Sequence, residues 1–119
     1  MRRKEGVLVP LEVSILEVCL NLRARGLDEA HGFRIAKELR DVRHARRLTA
    51  YGTLYKALDR LERAGHLDSR WEDPMVAAEE GRPRRRFYRL TLSAESALAE
   101  AIRAERESAL PRSAAVRPT

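Results

Sequence analysis

Up to Gly65 the apolar residues of this chain recur every three or four positions, and just beyond it they recur every second one. A helical period that gives way to a strand period within one short chain constrains both the class of fold and the order of its parts. Leu11, Ile15, Cys19 and Leu22 form one helical stripe, widened by Leu16, Val18 and Leu20. Pro10 suits a first helical position, where its missing N–H would be unpaired in any case, and Gly26 is a stop signal. A first helix is expected over about 10–24. Phe33, Ala36 and Leu39, with Ile35 beside them, predict a second over about 30–40, with Asp28 and Glu29 near its N-terminus to meet the macrodipole. A basic connector, 41–48, leads to a third helix over about 50–64, capped by Thr49 and ended by Gly65. Leu54, Leu58 and Leu61 should face the core there, leaving Thr53, Lys56, Asp59, Arg60 and Arg63 on the other side.

Leu67, Ser69 and Trp71 alternate with Asp68, Arg70 and Glu72, which reads as a strand. Residues 73–83 contain Pro74, Gly81 and Pro83 and read as a loop, and 84–91 reads as a returning strand. Ser93 is the expected cap of a last helix over 92–110. Its apolar stripe, Ala94, Leu98, Ala101 and Ile102, is narrow, and packing on a partner helix explains such a stripe better than packing on one monomer. Residues 1–9 read as a flexible basic arm and 111–119 as a disordered tail. The expected fold is mainly α with a small β-hairpin. It is a winged helix-turn-helix over 1–91 followed by a C-terminal dimerisation helix over 92–110.

The charge is as unevenly laid out as the periodicity. The chain of 119 residues carries a net charge of +6. Residues 82–89 hold five arginines, Arg82, Arg84, Arg85, Arg86 and Arg89, and no acid. Residues 40–63 hold seven basic residues against three acids, whereas 92–110 hold two arginines against four glutamates. Positive charge concentrated on the third helix and the hairpin points to a polyanionic partner. The single cysteine, Cys19, forbids an intramolecular disulfide and fits a reducing cytoplasm; it is expected as a buried small hydrophobe. Glu12 and Glu17 interrupt the apolar run that follows the basic start, so neither a membrane span nor a secretory signal is expected.

Enzymatic chemistry finds little support. His31, His44 and His66 lie in different elements and share no ligand spacing with Cys19, so no metal or other cofactor is expected. No phosphate-cradling glycine loop or nucleophile elbow is present in the sequence. Phe33 and Trp71 are expected in the core, His31 as a cap or core residue, and Asp59 with Arg63 as an i, i+4 pair. Tyr51 and Tyr55 suit either the core or an exposed binding face.

The stretch Leu48-Thr49-Ala50-Tyr51-Gly52-Thr53-Leu54-Tyr55, with Leu58, Leu61-Glu62 and Gly65, resembles the signature of the PadR family of transcriptional regulators. Pro10-Leu11-Glu12 with Ile15-Leu16, Ala30-His31-Gly32-Phe33, and the run Gly81-Arg82-Pro83-Arg84-Arg85-Arg86-Phe87-Tyr88-Arg89-Leu90-Thr91 agree in order and spacing, so the resemblance spans roughly 8–104. It implies a homodimeric regulator, usually a repressor, whose third helix enters the major groove of a pseudo-palindromic duplex while the wing touches the backbone or minor groove. This chain is similar to the shorter members, which end in one C-terminal helix. It departs from the pattern in three ways: Lys56 stands where proline is frequent, Glu79 and Glu80 sit at the wing tip, and 92–110 lacks the aromatic residue that stacks flat drugs. An effector, if one exists, is unspecified.

On this reading the residues expected at DNA are Thr49, Tyr51, Gly52, Thr53, Tyr55, Lys56 and Arg60 of the third helix and Arg82, Arg84, Arg85 and Arg86 of the wing. Leu11, Ile15, Leu98, Ala101 and Ile102 are expected at the dimer contact. If Lys56, Arg60 and the four wing arginines each met a phosphate, a dimer would neutralise about twelve and the log-log salt slope would approach about −11. Two other readings use the same fold: a protein-interaction adaptor docking through 92–110, and a nonspecific architectural DNA binder.

Overall fold

The computed structural model describes residues 7–43 and 51–109. Most of the expected arm, the 44–50 part of the connector with its Thr49 cap, and the 111–119 tail lie outside the described residues. The elements run α1 (Pro10–Ala24), β1 (Ala30–His31), α2 (Gly32–Arg43), α3 (Tyr51–Arg63), β2 (Leu67–Trp71), α4 (Pro74–Glu79), β3 (Arg86–Leu90) and α5 (Leu92–Ala109). The strands form one antiparallel sheet in the order β1-β3-β2.

The core forms around α1. Ile15, Leu16 and Leu22 of α1 meet Ile35 of α2, Leu54, Leu58 and Leu61 of α3, Leu67 and Leu90 of the sheet, and Leu98 of α5. Pro10 begins α1, and the Glu12 carboxylate accepts the Val9 N–H at 3.0 Å, satisfying one of the orphan donors of the first turn. The same carboxylate is 1% exposed and receives Arg60 Nε of α3 at 2.8 Å. Glu12, read from sequence as a break in an apolar run, is therefore part of the core.

Gly65 shows how α3 hands over to the sheet. Its φ of 86° lies in the left-handed region, and His66 N–H bonds back to Leu61 O while Gly65 N–H bonds to Glu62 O. This closes the helix and turns the chain into β2. Gly65 O then accepts from both Thr91 Oγ1 and Ser93 Oγ, at 2.7 and 2.9 Å, which ties the start of α5 to the end of α3. The residue capping α5 is Thr91, whose Oγ1 accepts the Ala94 N–H, and not Ser93, whose hydroxyl is used on Gly65.

Several expectations change. The segment read as loop contains α4, begun by Pro74 and capped by Asp73, whose carboxylate accepts the Met75 N–H. A third strand, β1, forms where the second helix was expected to start; Ala30 pairs with Tyr88 and His31 with Phe87. Asp28 and Glu29 consequently sit before β1 rather than on the first turn of α2, and Glu29 binds Arg70 at 2.7 Å instead. α2 turns Ile35 and Leu39 inward and leaves Phe33 60% exposed, so Phe33 is not a core residue. Ile15 and Leu98, expected at the dimer contact, are filled in by their own chain at 0% and 3% exposure, whereas Leu11, Ala101 and Ile102 are only half-buried.

Replacing Glu12 by alanine removes the cap acceptor, the tie to Arg60 and buried volume together. Arg60 is half-exposed and can rehydrate, so the cost should fall near the low end for broken buried pairs, about 2–3 kcal/mol in urea unfolding. A cost below about 0.5 kcal/mol would show that the pair does not hold α1 on α3.

Candidate nucleic-acid interface

α3 presents its N-terminal half to solvent. Tyr51, Gly52, Thr53, Tyr55 and Lys56 are all exposed, while Leu54, Ala57, Leu58 and Leu61 are buried behind them. Tyr51 and Tyr55 stack with ring centroids 6.4 Å apart. Tyr55 also lies against Gly32 at the start of α2, where any Cβ would collide with the Tyr55 ring and hydroxyl. Tyr55 is thus a surface residue braced by the preceding helix, which resolves the choice left open by its sequence. Gly52 differs from Gly32: its φ is not positive and a Cβ there would meet nothing within 4 Å. Nothing within the described residues requires glycine at that point.

The wing is β2, α4 and β3. Trp71 pairs with Arg86, Ser69 with Tyr88 and Leu67 with Leu90. Since alternate residues share a face, this row runs outward from the core on the side that α3 packs against. Glu62 of α3 marks that side: it accepts from Ser69 Oγ at 2.6 Å and lies 3.5 Å from Arg86 Nη2. Trp71, expected in the core, lies past its edge and is 52% exposed.

The basic residues divide into structural and available ones. Arg82 forks onto buried Glu72, donating Nη1 and Nη2 to the two carboxylate oxygens at 2.7 and 2.8 Å, and its Nε binds Glu80 at 2.9 Å. The Arg85 N–H also donates to Glu72, at 3.2 Å. The Arg82 guanidinium, then the Arg85 N–H, overcome burial and hold the Glu72 carboxyl down at about 2; Arg82 in turn is pushed up by Glu72. Arg82 therefore closes the wing rather than facing outward, and Arg60 is directed to Glu12. Both depart from the free cations expected from sequence. Arg70 is similarly held by Glu29. Arg84, Arg85, Arg89 and Lys56 make no ion pair among the described residues. Glu80, noted in the sequence at the wing tip, is paired with Arg82. The Asp59–Arg63 pair forms as expected, at 2.9 Å.

His31 acts as a cap: its Nδ1 accepts the Arg34 N–H at 3.3 Å, and burial, helped by the nearby Arg85 and Arg82 charges, lowers its pKa. Cys19 is buried, and that burial pushes its thiol up to about 12, so it behaves as a hydrophobe. Among the described residues no cluster of three His, Cys, Asp or Glu could hold a metal, and no helix is long and apolar enough to cross a membrane. An open apolar groove of about 830 Å³ lies between the start of α1 and α5, lined by Leu8, Pro10, Val13, Ala97, Ala101 and Ala104.

A helix with an exposed N-terminal half, backed by two helices and flanked by a basic hairpin, is the arrangement of a winged helix-turn-helix. The family profile of PadR-like transcriptional regulators matches residues 21–100. The chain belongs to this family. It is a PadR-like transcriptional regulator, of a family of regulators and not of enzymes. Solved structures agree in fold. A transcriptional regulator from Clostridium thermocellum is 20% identical with a TM-score of 0.66, the match covering 82% of each chain. A PadR family regulator from Eggerthella lenta is 28% identical with a TM-score of 0.57, covering 79% of this chain and 71% of that one. Bacillus subtilis PadR in complex with operator DNA is 18% identical with a TM-score of 0.58, covering 88% of this chain and 64% of that one. Comparison with curated proteins finds no match.

The Glu72 fork gives the PadR-like wing an acid limit. Its folded carboxyl lies below the ordinary value of 4.5, so its contribution is complete above that pH and is lost as pH falls toward 2. Protection of the Glu72 and Arg85 amides, measured against the intrinsic exchange rate at each pH, should fall through that window, and Glu72→Gln should lower it already at neutral pH. Exchange that stays slow in the variant would show that the wing closes without the charge pair.

Proposed function

We propose that this regulator represses transcription as a homodimer bound to a pseudo-palindromic duplex, with the N-terminal half of α3 in the major groove and the wing on the adjoining backbone. Gly52 carries the reading. A glycine inside a helix costs about 1 kcal/mol relative to alanine, and here neither backbone conformation nor packing within the described residues calls for it. A surface that something outside the chain must approach closely does call for it. Tyr51, Thr53, Tyr55 and Lys56 surround it with hydroxyls and a cation suited to base edges and phosphates. Bacillus subtilis PadR, which shares the fold, forms a complex with operator DNA, which supports duplex DNA as the partner.

The dimer reading rests on the apolar groove between α1 and α5 and on Ala101 and Ile102, which one chain leaves half-covered. A second α5 supplies apolar surface of matching length.

Two measurements test this. The first is binding to the DNA upstream of the gene, against an unrelated duplex of equal length, across salt concentrations. With Arg60 and Arg82 engaged internally, Lys56, Arg84, Arg85 and Arg86 remain, about eight phosphates per dimer, so the limiting log-log slope should be about −7 rather than −11. Equal binding to both duplexes would remove the specific-regulator reading. In the second, Gly52→Ala should leave the fold as stable or up to about 1 kcal/mol more so, yet weaken binding to the upstream fragment at least tenfold. Unchanged affinity would argue against close approach at Gly52.

A further inference from the structure

We propose that Trp71 is a positioning residue for DNA contact: its indole holds the guanidinium groups of Arg84 and Arg86 together on the α3 side of the wing, ready to meet neighbouring phosphates. The inference rests on the DNA-binding reading above and deepens it. Arg84 Cζ lies 5.2 Å and Arg86 Cζ 5.0 Å from the Trp71 ring centroid, both within the range of cation–π attraction. No other charged partner fixes Arg84 among the described residues. Arg86 has one competing acceptor, Glu62, at a long 3.5 Å, and the same oxygen already receives Ser69 Oγ at 2.6 Å. The ring is therefore the principal support for both cations.

The position of Trp71 explains why an aromatic stands there. It continues the row of Leu67 and Ser69 one step beyond the core, opposite Arg86 in the strand register. A side chain at this point has no core to fill, and the half-exposed indole is free to support the cations beside it. Two like charges side by side repel each other; the electron-rich face of the indole offsets that repulsion and removes rotamer freedom that binding would otherwise have to take away. The face opposite carries its own version, with Arg70 over Phe87 at 4.9 Å, but there the guanidinium is bound by Glu29. Only the Trp71 side offers stacked arginines whose hydrogen-bonding edges are largely unclaimed.

The test uses the full-length protein and the upstream duplex, with the unrelated duplex as reference. Ordering one long side chain at an interface changes affinity about two- to twelvefold, so Trp71→Ala, which frees two, should weaken binding to both duplexes roughly tenfold, and Trp71→Phe should restore part of it. The double variant Arg84→Lys with Arg86→Lys keeps the charge but loses the planar group that stacks, and it should be weakened to a similar extent. Adding Trp71→Ala to the double lysine variant should then cost less than twofold, because the platform no longer has its load. Trp71 is the sole tryptophan, so its emission should change when wild-type protein binds either duplex. Unaltered thermal unfolding of Trp71→Ala confirms that the loss is not one of folding. Equal affinities for wild type and Trp71→Ala would overturn the platform while leaving DNA binding in place. A further large loss on adding Trp71→Ala to the lysine background would also overturn it, since the indole would then be touching DNA itself. Failure of the wild type to bind either duplex at low salt would remove the DNA-binding reading and this inference with it.

Discussion

The Glu12 carboxylate is the point on which the arrangement turns. Burying a carboxylate among apolar side chains is unfavourable unless hydrogen bonds and an opposite charge replace water. Here the Val9 N–H and the Arg60 guanidinium both do so, from two different elements. One side chain thereby fixes where α1 begins and how α3 is rotated against it. With Leu54, Leu58 and Leu61 in the core, the rest of the N-terminal half of α3 faces outward. That surface carries Tyr51, Gly52, Thr53 and Lys56. The groove that supports the dimer reading begins at the same end of α1, so the proposed assembly surface and the helix proposed to face DNA meet at one junction.

Net charge describes this molecule poorly. Arginines that look alike along the chain have been given different tasks: Arg60 and Arg70 join elements, Arg82 closes the wing over Glu72, and Arg84 and Arg86 rest on Trp71. The acids do the sorting. Glu12, Glu29 and Glu72 take Arg60, Arg70 and Arg82 out of the available pool, and Arg84 and Arg86 are left on the α3 side of the wing. A polyanion binding there meets a small number of oriented cations rather than a diffuse positive surface.

Much of the fold was legible in local pattern. α1 and α3 match their apolar periods to within a residue, and Gly26 and Gly65 end them because both sit at positive φ, which glycine alone adopts freely. The β2 alternation and the return of β3 were equally clear. The family signature is carried by residues that the fold then explains: Gly32 leaves room for Tyr55, Glu12 holds α3, and Thr91 caps α5 and ties it to Gly65. Legibility failed where two periods fitted equally well. The stripe Phe33, Ala36 and Leu39, with Ile35 beside it, left the rotation of α2 open; Ile35 and Leu39 turn inward and Phe33 outward, and that choice depended on what lay beneath. The third strand, of only two residues, has no period to read; it exists because β3 offers it an edge.

The chain's own sequence therefore determined the class of fold, the order of its elements and the location of its charge, because periodicity, caps and turns act over a few neighbouring residues. It also carried the family. Tertiary structure decided which side chains those charges meet. Glu12 and Arg60 are separated by 48 positions, and Arg70 and Glu29 by 41, yet each pair is in contact. Whether an arginine is structural or free, and whether a tryptophan fills a core or supports a cation, depends on distances in space. No local pattern encodes those distances, because they arise only when all the elements pack at once.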